Sequence, residues 1–399
     1  MIQVAIRFVR SRTRNRNGAA SKLLRKIHSD ERGMTLVFVG LGFMSFLAAT
    51  MLAVDVGMLM TARSQAQNSA DAGALGGAVT LAFGDYNDRA QSGQAVQTAV
   101  TIARSNAVMG DTVAVTPADV AFLNDASGQP NRVKIDVFRT TDRGNPVANL
   151  IASVFGTPTS DISATATAEI TRANASRCVK PWAIPDKWTE RQTPAWDTND
   201  TFNAFPGGSL LPDIFRNISD PLYTGYNWQT ARGLQLRLIP VTTNTIKPGM
   251  YFPLRLPGSN GSNDYRENIS LCDGTTMHFG DGLTAEPAAT PGDTTFGVSE
   301  LIAQDPGAYW DSAKSRVVST RSPSPRVVVV PVYDPLYFNQ GKIAGNFTQL
   351  RISNMVGFFI EDLIGNDVLG RIVPVSALID NTAAPAPTGS FPRVVRLVE

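Results

Sequence analysis

Very few residues in this chain could do chemistry. Of 399 residues, two are histidines and two are cysteines. His278 sits in CDGTTMHFGDG, residues 272–282, between Asp273 and Asp281. One imidazole and two carboxylates are the right donor types for a divalent cation, and the right groups for acid–base work. The spacing matches no ligand pattern, however, and Gly274, Gly280 and Gly282 mark a loop. Ca²⁺ held there by Asp273, Asp281 and loop carbonyls would have a thin donor set. His28 lies in an arginine-rich leader, where no role follows for it. The chain has no GxSxG, HExxH or GxxxxGK[ST], and neither CxxC nor CxxH. Trp182, Trp188, Trp196 and Trp228 could form a ligand platform, although buried structural packing is the commoner use of such rings. The expectation is a non-enzyme without metal or cofactor, and no small-molecule substrate is evident.

The element that must position everything else is the stretch 34–59, MTLVFVGLGFMSFLAATMLAVDVGML, whose only charge is Asp55. Its first 21 residues carry no charge. A helix of that length rises about 31 Å, the thickness of a bilayer's hydrocarbon core. This predicts one transmembrane helix, with a buried core helix as the alternative. Residues 1–33 hold nine Lys/Arg against Asp30 and Glu31, and the remainder holds 27 Lys/Arg against 32 Asp/Glu. A flank that basic is retained in the cytoplasm, which predicts a cytoplasmic tail and an exported body. Arg-rich arms also bind nucleic acid, but topology accounts for this charge and no nucleic acid is expected. A cleaved secretory signal would have a shorter apolar core, so an uncleaved anchor is expected.

The 340 residues beyond the anchor suffice for about two domains. Of 25 prolines, 21 lie from Pro181 onward, so a boundary is expected near 173–181. Cys178 and Cys272 both fall in the exported body. An even count in an oxidising compartment favours a disulfide; the alternative is two buried thiols. Residues 61–82 continue the helix, with Ala66, Ala70, Ala74 and Ala78 at every fourth position beside Gly73 and Gly77. Such a seam admits close approach of another helix or a sheet. Helices are then expected at 90–108 and from Asn145-Pro146 through Phe155, where Gly156 stops the second. Strands are expected at 112–116, 119–123, 132–139 and 161–171. Together these make an α/β unit of one antiparallel sheet with helices on one face. Beyond it, strands are expected at 234–241, 251–256, 326–333, 348–359 and 368–375. A polar turn region is expected at 259–268, a short helix at 299–303, and a trailing Pro- and Ala-rich end.

Two stretches carry a resemblance. Glu31-Arg32-Gly33-Met34, a Gly ahead of an apolar helix after a basic leader, resembles a type IV prepilin processing site, which would imply cleavage between Gly33 and Met34. Pilins carry Glu at the fifth residue of the mature helix, and here that residue is Phe38. Further on, an apolar helix ending in Ala53-Val54-Asp55-Val56-Gly57 is followed by Arg63 and then Gln67-Asn68-Ser69-Ala70-Asp71-Ala72-Gly73-Ala74-Leu75-Gly76-Gly77-Ala78. This order resembles the N-terminal signature of the TadE/TadG-like proteins of Flp (Tad) pilus assembly. Asp55, Gly57, Arg63, Ala70, Asp71, Ala74, Leu75 and Ala78 fall on the pattern, which covers about one eighth of the chain. Phe38 fits the TadG-like branch better than the Glu-bearing TadE-like one. Many TadG-like proteins carry a von Willebrand-type D-x-S-x-S metal site. The nearest stretch here, Asp125-Ala126-Ser127-Gly128-Gln129, lacks the second Ser.

The expected fold is α+β. A basic tail (1–33) precedes a transmembrane helix (34–60), which continues into a pilin-like α/β domain (61–173). A β-rich periplasmic domain (174–380) and a tail (381–399) follow. The resemblance implies a structural component of Tad pilus assembly or secretion in the bacterial inner membrane. Its partners would be other proteins of the Tad pilus or secretion platform, bound in the envelope. The alternatives from other classes are an anchored lectin-like binder or adhesin, and a metal-assisted hydrolase.

Overall fold

The computed structural model describes residues 31–192, 195–243, 245–343 and 350–398. The basic leader with His28 lies outside the described residues up to position 30. The first of the described elements is helix α1, Glu31–Phe83, 53 residues without a break and about 80 Å long at helical rise. No proline interrupts it. It closes where the Gly84 amide bonds the Thr80 carbonyl and Asp85 turns the chain by accepting from the Asn87 amide. The chain forms two compact units, one of residues up to Gln65 with Arg139–Ile162, the other of Ala66–Phe138 with Ser163–Glu399.

The first unit pairs the apolar part of α1 with a long loop. In that loop β3 (Val147–Ala148) and β4 (Thr159–Ser160) pair antiparallel around a 3-10 turn, Ala152–Phe155. The helix expected from Asn145-Pro146 through Phe155 is absent except for this last turn. The amides that a helix would need are engaged elsewhere: Asn149 donates across the hairpin to Pro158, and the next three donate to a side chain on α1. Gly156, at φ +87°, ends the turn as a left-handed cap.

The second unit begins with a four-stranded sheet, β1 (Val120–Leu123), β2 (Arg132–Arg139), β5 (Ile162–Arg172) and β17 (Arg393–Leu397), in that order. Strict alternation buries Val133, Ile135 and Val137 on one face of β2. Helix α2, Gln94–Ser105, buries Ala95, Val96, Ala99, Val100 and Ala103. The expected strand at 112–116 is reduced to a single bridge from Ala114 to Phe138, and the Arg104 guanidinium occupies the Val115 carbonyl instead. The larger difference is β17. Composition suggested a trailing end, but Arg393 to Leu397 pair with Arg172 to Ala168 of β5. The Pro- and Ala-rich bias stops at Pro392. The RVVRL segment after it covers an edge that would otherwise be open.

The remainder is a β barrel with small additions. Strands β7 (Trp182–Pro185), β8 (Gln235–Pro240), β9 (Met250–Arg255), β11 (Gly282–Ala285), β14 (Val327–Tyr333), β15 (Leu350–Ile364) and β16 (Asp367–Val373) form one sheet. Pairing of β15 with β16 closes it on itself. Two short pairs, β6 (Ala175–Ser176) with β10 (Met277–His278) and β12 (Tyr309–Asp311) with β13 (Arg316–Val318), sit outside it. The region expected as a polar turn at 259–268 is helix α3, Gly261–Ser270. Its mostly polar composition hides the helix, because Tyr265 and Ile269, one turn apart, are the buried apolar residues, joined by Ser270. Helix α4, Pro291–Ala303, extends the expected 299–303 back to a Thr290/Asp293 capping box with proline in the first turn. The two helices are in contact at Gly297, where a Cβ would lie 2.9 Å from the Arg266 carbonyl. Helix α5, Pro335–Ile343, follows β14.

Candidate functional site

Asp55 is the one charge in the apolar part of α1, and it is 5% exposed. Its carboxylate accepts from three successive backbone amides. Leu150 donates to Oδ1 at 3.1 Å, Ile151 to Oδ1 at 3.2 Å and Oδ2 at 3.1 Å, and Ala152 to Oδ2 at 2.5 Å. These amides open the 3-10 turn, where donors lack partners within the turn, so a carboxylate there meets both hydrogen-bond and charge complementarity. Asp55 therefore clips a loop some 95 residues away in sequence onto the helix. The loop has no motif by which the sequence announces this; its only signal is the apolar run VANLIASVF. Changing Asp55 to Ala leaves three amides without an acceptor, at about 1–3 kcal/mol for each one that stays buried. The expected result is at least tenfold faster hydrogen exchange at 150–152, read by mass spectrometry on the detergent-purified protein. Unchanged exchange would show that the clip carries no stability.

Further along α1, Ala66, Ala70, Ala74 and Ala78 are at most 1% exposed. The glycines beside them set the distance of approach. A Cβ on Gly73 would lie 3.0 Å from Ala103 Cβ and Ile135 Cδ1, and one on Gly77 3.0 Å from Ala99 Cβ and Val133 Cγ1. The seam thus packs on α2 and β2 of its own unit, and Ser69 reinforces it by donating to the Ala103 carbonyl at 2.9 Å. The other motif positions lie off this seam. Gly57 and Arg63 are exposed, Leu75 is half-buried, and half-buried Asp71 accepts from Gln67. Gly33 and Met34 are exposed residues inside the first turn of α1.

The sites considered for chemistry resolve differently. Cys178 and Cys272 are joined by a disulfide, with Cα atoms 4.6 Å apart. His278 Nε2 lies 2.9 Å from Asp380 and Nδ1 3.7 Å from Asp281. Asp273 stays apart from the imidazole, accepting from the Thr275 amide. The second close carboxylate thus comes from 102 residues away, where Thr382 and His278 hold the Asp380 carboxyl down to about 2. No group of three or more His, Cys, Asp or Glu suited to a metal occurs among the described residues. Asp125 spends its oxygens inside its own loop, on the Ser127 amide and hydroxyl, the Gln129 amide and the Asn131 side chain.

Trp182, Trp188 and Trp228 are each no more than 6% exposed. Trp182 donates to Tyr265, Trp188 lies edge-on to Phe202 and Trp196, and Trp228 lies edge-on to Tyr86. They are packing residues and form no open platform. Asp186 is buried, and burial pushes its carboxyl up to about 6. Its oxygens take the Tyr223 and Ser353 hydroxyls and the Tyr226 and Lys187 amides, so it ties segments of the barrel together.

Among the described residues one helix, Gly33–Phe83, is long and apolar enough to cross a membrane, and its apolar window is fully uncovered. No curated protein and no solved structure matches the chain. The clip at Asp55 and the alanine seam instead lie within one recognised segment: residues 33–80 match the family described as putative Flp pilus-assembly TadE/G-like.

Proposed function

We propose that the chain is a single-span membrane protein of Flp (Tad) pilus assembly or secretion, acting by protein–protein contact in the envelope and not by catalysis. The observation that carries this is the coincidence of the TadE/G-like match at 33–80 with an uncovered apolar helix. The basic leader supports a cytoplasmic N-terminus in the inner membrane, and the Cys178–Cys272 bridge suits a body in the oxidising periplasm. The anchor helix seats among the other membrane proteins of the platform, and the barrel-bearing body meets the pilus or its guides. The leader stays attached in this account, because Phe38 stands where processed pilins carry Glu.

Reporter fusions after Ala82 test the topology. A periplasmic reporter is expected to be active there and a cytoplasmic one silent; the reverse pattern would sink the orientation. The intact mass of the same purified protein tests retention of the Gly33–Met34 bond. Cross-linking in native membranes should capture pilus-platform proteins, and recovery of the monomer alone would count against the assembly role.

A further inference from the structure

We propose that the loop 147–156 is a second membrane contact, lying in the half of the bilayer nearer the exported body, against α1, with Leu150 in lipid. The proposal rests on α1 being a membrane span.

Depth comes first. The amides of Leu150, Ile151 and Ala152 are bonded to Asp55, and Asp55 immediately follows the uncharged run 34–54. The turn is therefore held at the very end of the hydrocarbon-spanning stretch. Coverage of α1 points the same way. From 33 to 54 every residue is exposed except Leu47 and Met51. With Asp55 they form one row at four-residue spacing, on a single face of the helix. That is the row on which Asp55 holds the loop, and it extends eight residues, or about 12 Å, below the clip.

The loop is built for such a place. Residues 144–160 carry no charge, while Asp142, Arg143 and Asp161 stand at its neck. The neck is closed by the Thr141 amide and hydroxyl on Asp161, each at 2.8 Å. Irregular backbone is tolerated in hydrocarbon only when its polar groups are satisfied within the protein. Here the Asn149 amide bonds Pro158, the next three bond Asp55, and the Gly156 and Thr157 amides return to Ser153 and Ala152. The Asn149 side chain is likewise spent on Thr157 and Ser160. Leu150 is left 62% exposed at the level of the membrane edge, where exposure of an apolar side chain to acyl chains carries no hydrophobic penalty.

The test uses the full chain in liposomes of phosphatidylethanolamine and phosphatidylglycerol, with an environment-sensitive fluorophore on single introduced cysteines. Leu150→Cys reports the loop and Ala148→Cys repeats it should the first fold poorly. Phe46→Cys reports the span and Gln229→Cys the body. Lipid-borne nitroxide is expected to quench the label at 150 at least half as strongly as at 46, with iodide in the water having little effect. At 229 the two quenchers should exchange roles. A label at 150 that responds to iodide and not to nitroxide, while 46 responds to nitroxide, overturns the loop contact and leaves the anchor standing. Iodide quenching at 46 as well overturns both.

Discussion

Loss of the Cys178–Cys272 bridge is expected to cost the second unit about 4–5 kcal/mol, the chain-entropy value for a loop of this length. The bridge spans 94 residues, and β7, β8, β9 and α3 all lie inside it. It also holds Cys178 at φ +56°, a left-handed conformation that a non-glycine residue adopts at a cost. Two residues on, the Lys180 ammonium bonds the carbonyls of Asn268 and Leu271 at the end of α3, and burial pulls its pKa down to about 8. Without the bridge, this buried amine and the Gln304 side-chain amide, which donates to the Ser270 carbonyl, are left to hold the end of α3. Guanidinium unfolding of the detergent-purified protein, followed by tryptophan emission, should move to a clearly lower midpoint in the Cys178→Ser, Cys272→Ser double variant. Reductant should shift the wild type in the same direction. Equal midpoints for all three samples would mean that the bridge contributes nothing.

Ala70→Leu and Ala74→Leu are each expected to destabilise the second unit by about 1–3 kcal/mol, the usual penalty for forcing extra methylenes into a filled interior. Both alanines are fully buried, and the approach beside them is so close that even a methyl on Gly73 or Gly77 would sit 3.0 Å from its neighbours. Gln67 lies on the exposed side of the same helix, bonded to Asp71 and to the Thr165 carbonyl. Gln67→Leu should therefore be milder. Protein yield and thermal midpoint should fall for the two alanine variants, while membrane insertion persists because residues 34–54 are untouched. Equal tolerance of leucine at all three positions would remove the seam as a packing surface.

Legibility of this chain followed the range of the forces involved. Helix α1 could be read because an uncharged run and closely spaced alanines both act within a few residues. The strands β2, β5 and β14 could be read because period-two alternation or a β-branched run is itself local. The seam was visible as a four-residue repeat, although which elements fill it was not. Helix α3 is not legible in the sequence, because its ten mostly polar residues bury only Tyr265, Ile269 and Ser270. Too few apolar positions were present to raise a periodic signal.

By itself, the sequence determined that there is one apolar helix of bilayer length, a basic flank before it, and a TadE/G-like order of small and charged residues from Asp55 to Ala78. It also determined that the residues for known hydrolase motifs are lacking. Only the tertiary structure decided where Asp55 sends its charge, which carboxylate meets His278, and what becomes of the C-terminal segment. Those three answers are the amides of 150–152, Asp380, and the edge of β5. Each joins residues about 95 or more positions apart. Hydrogen bonds of this kind depend on loop closure and burial of the whole unit, and neither leaves a periodic trace in the residues that make the contact.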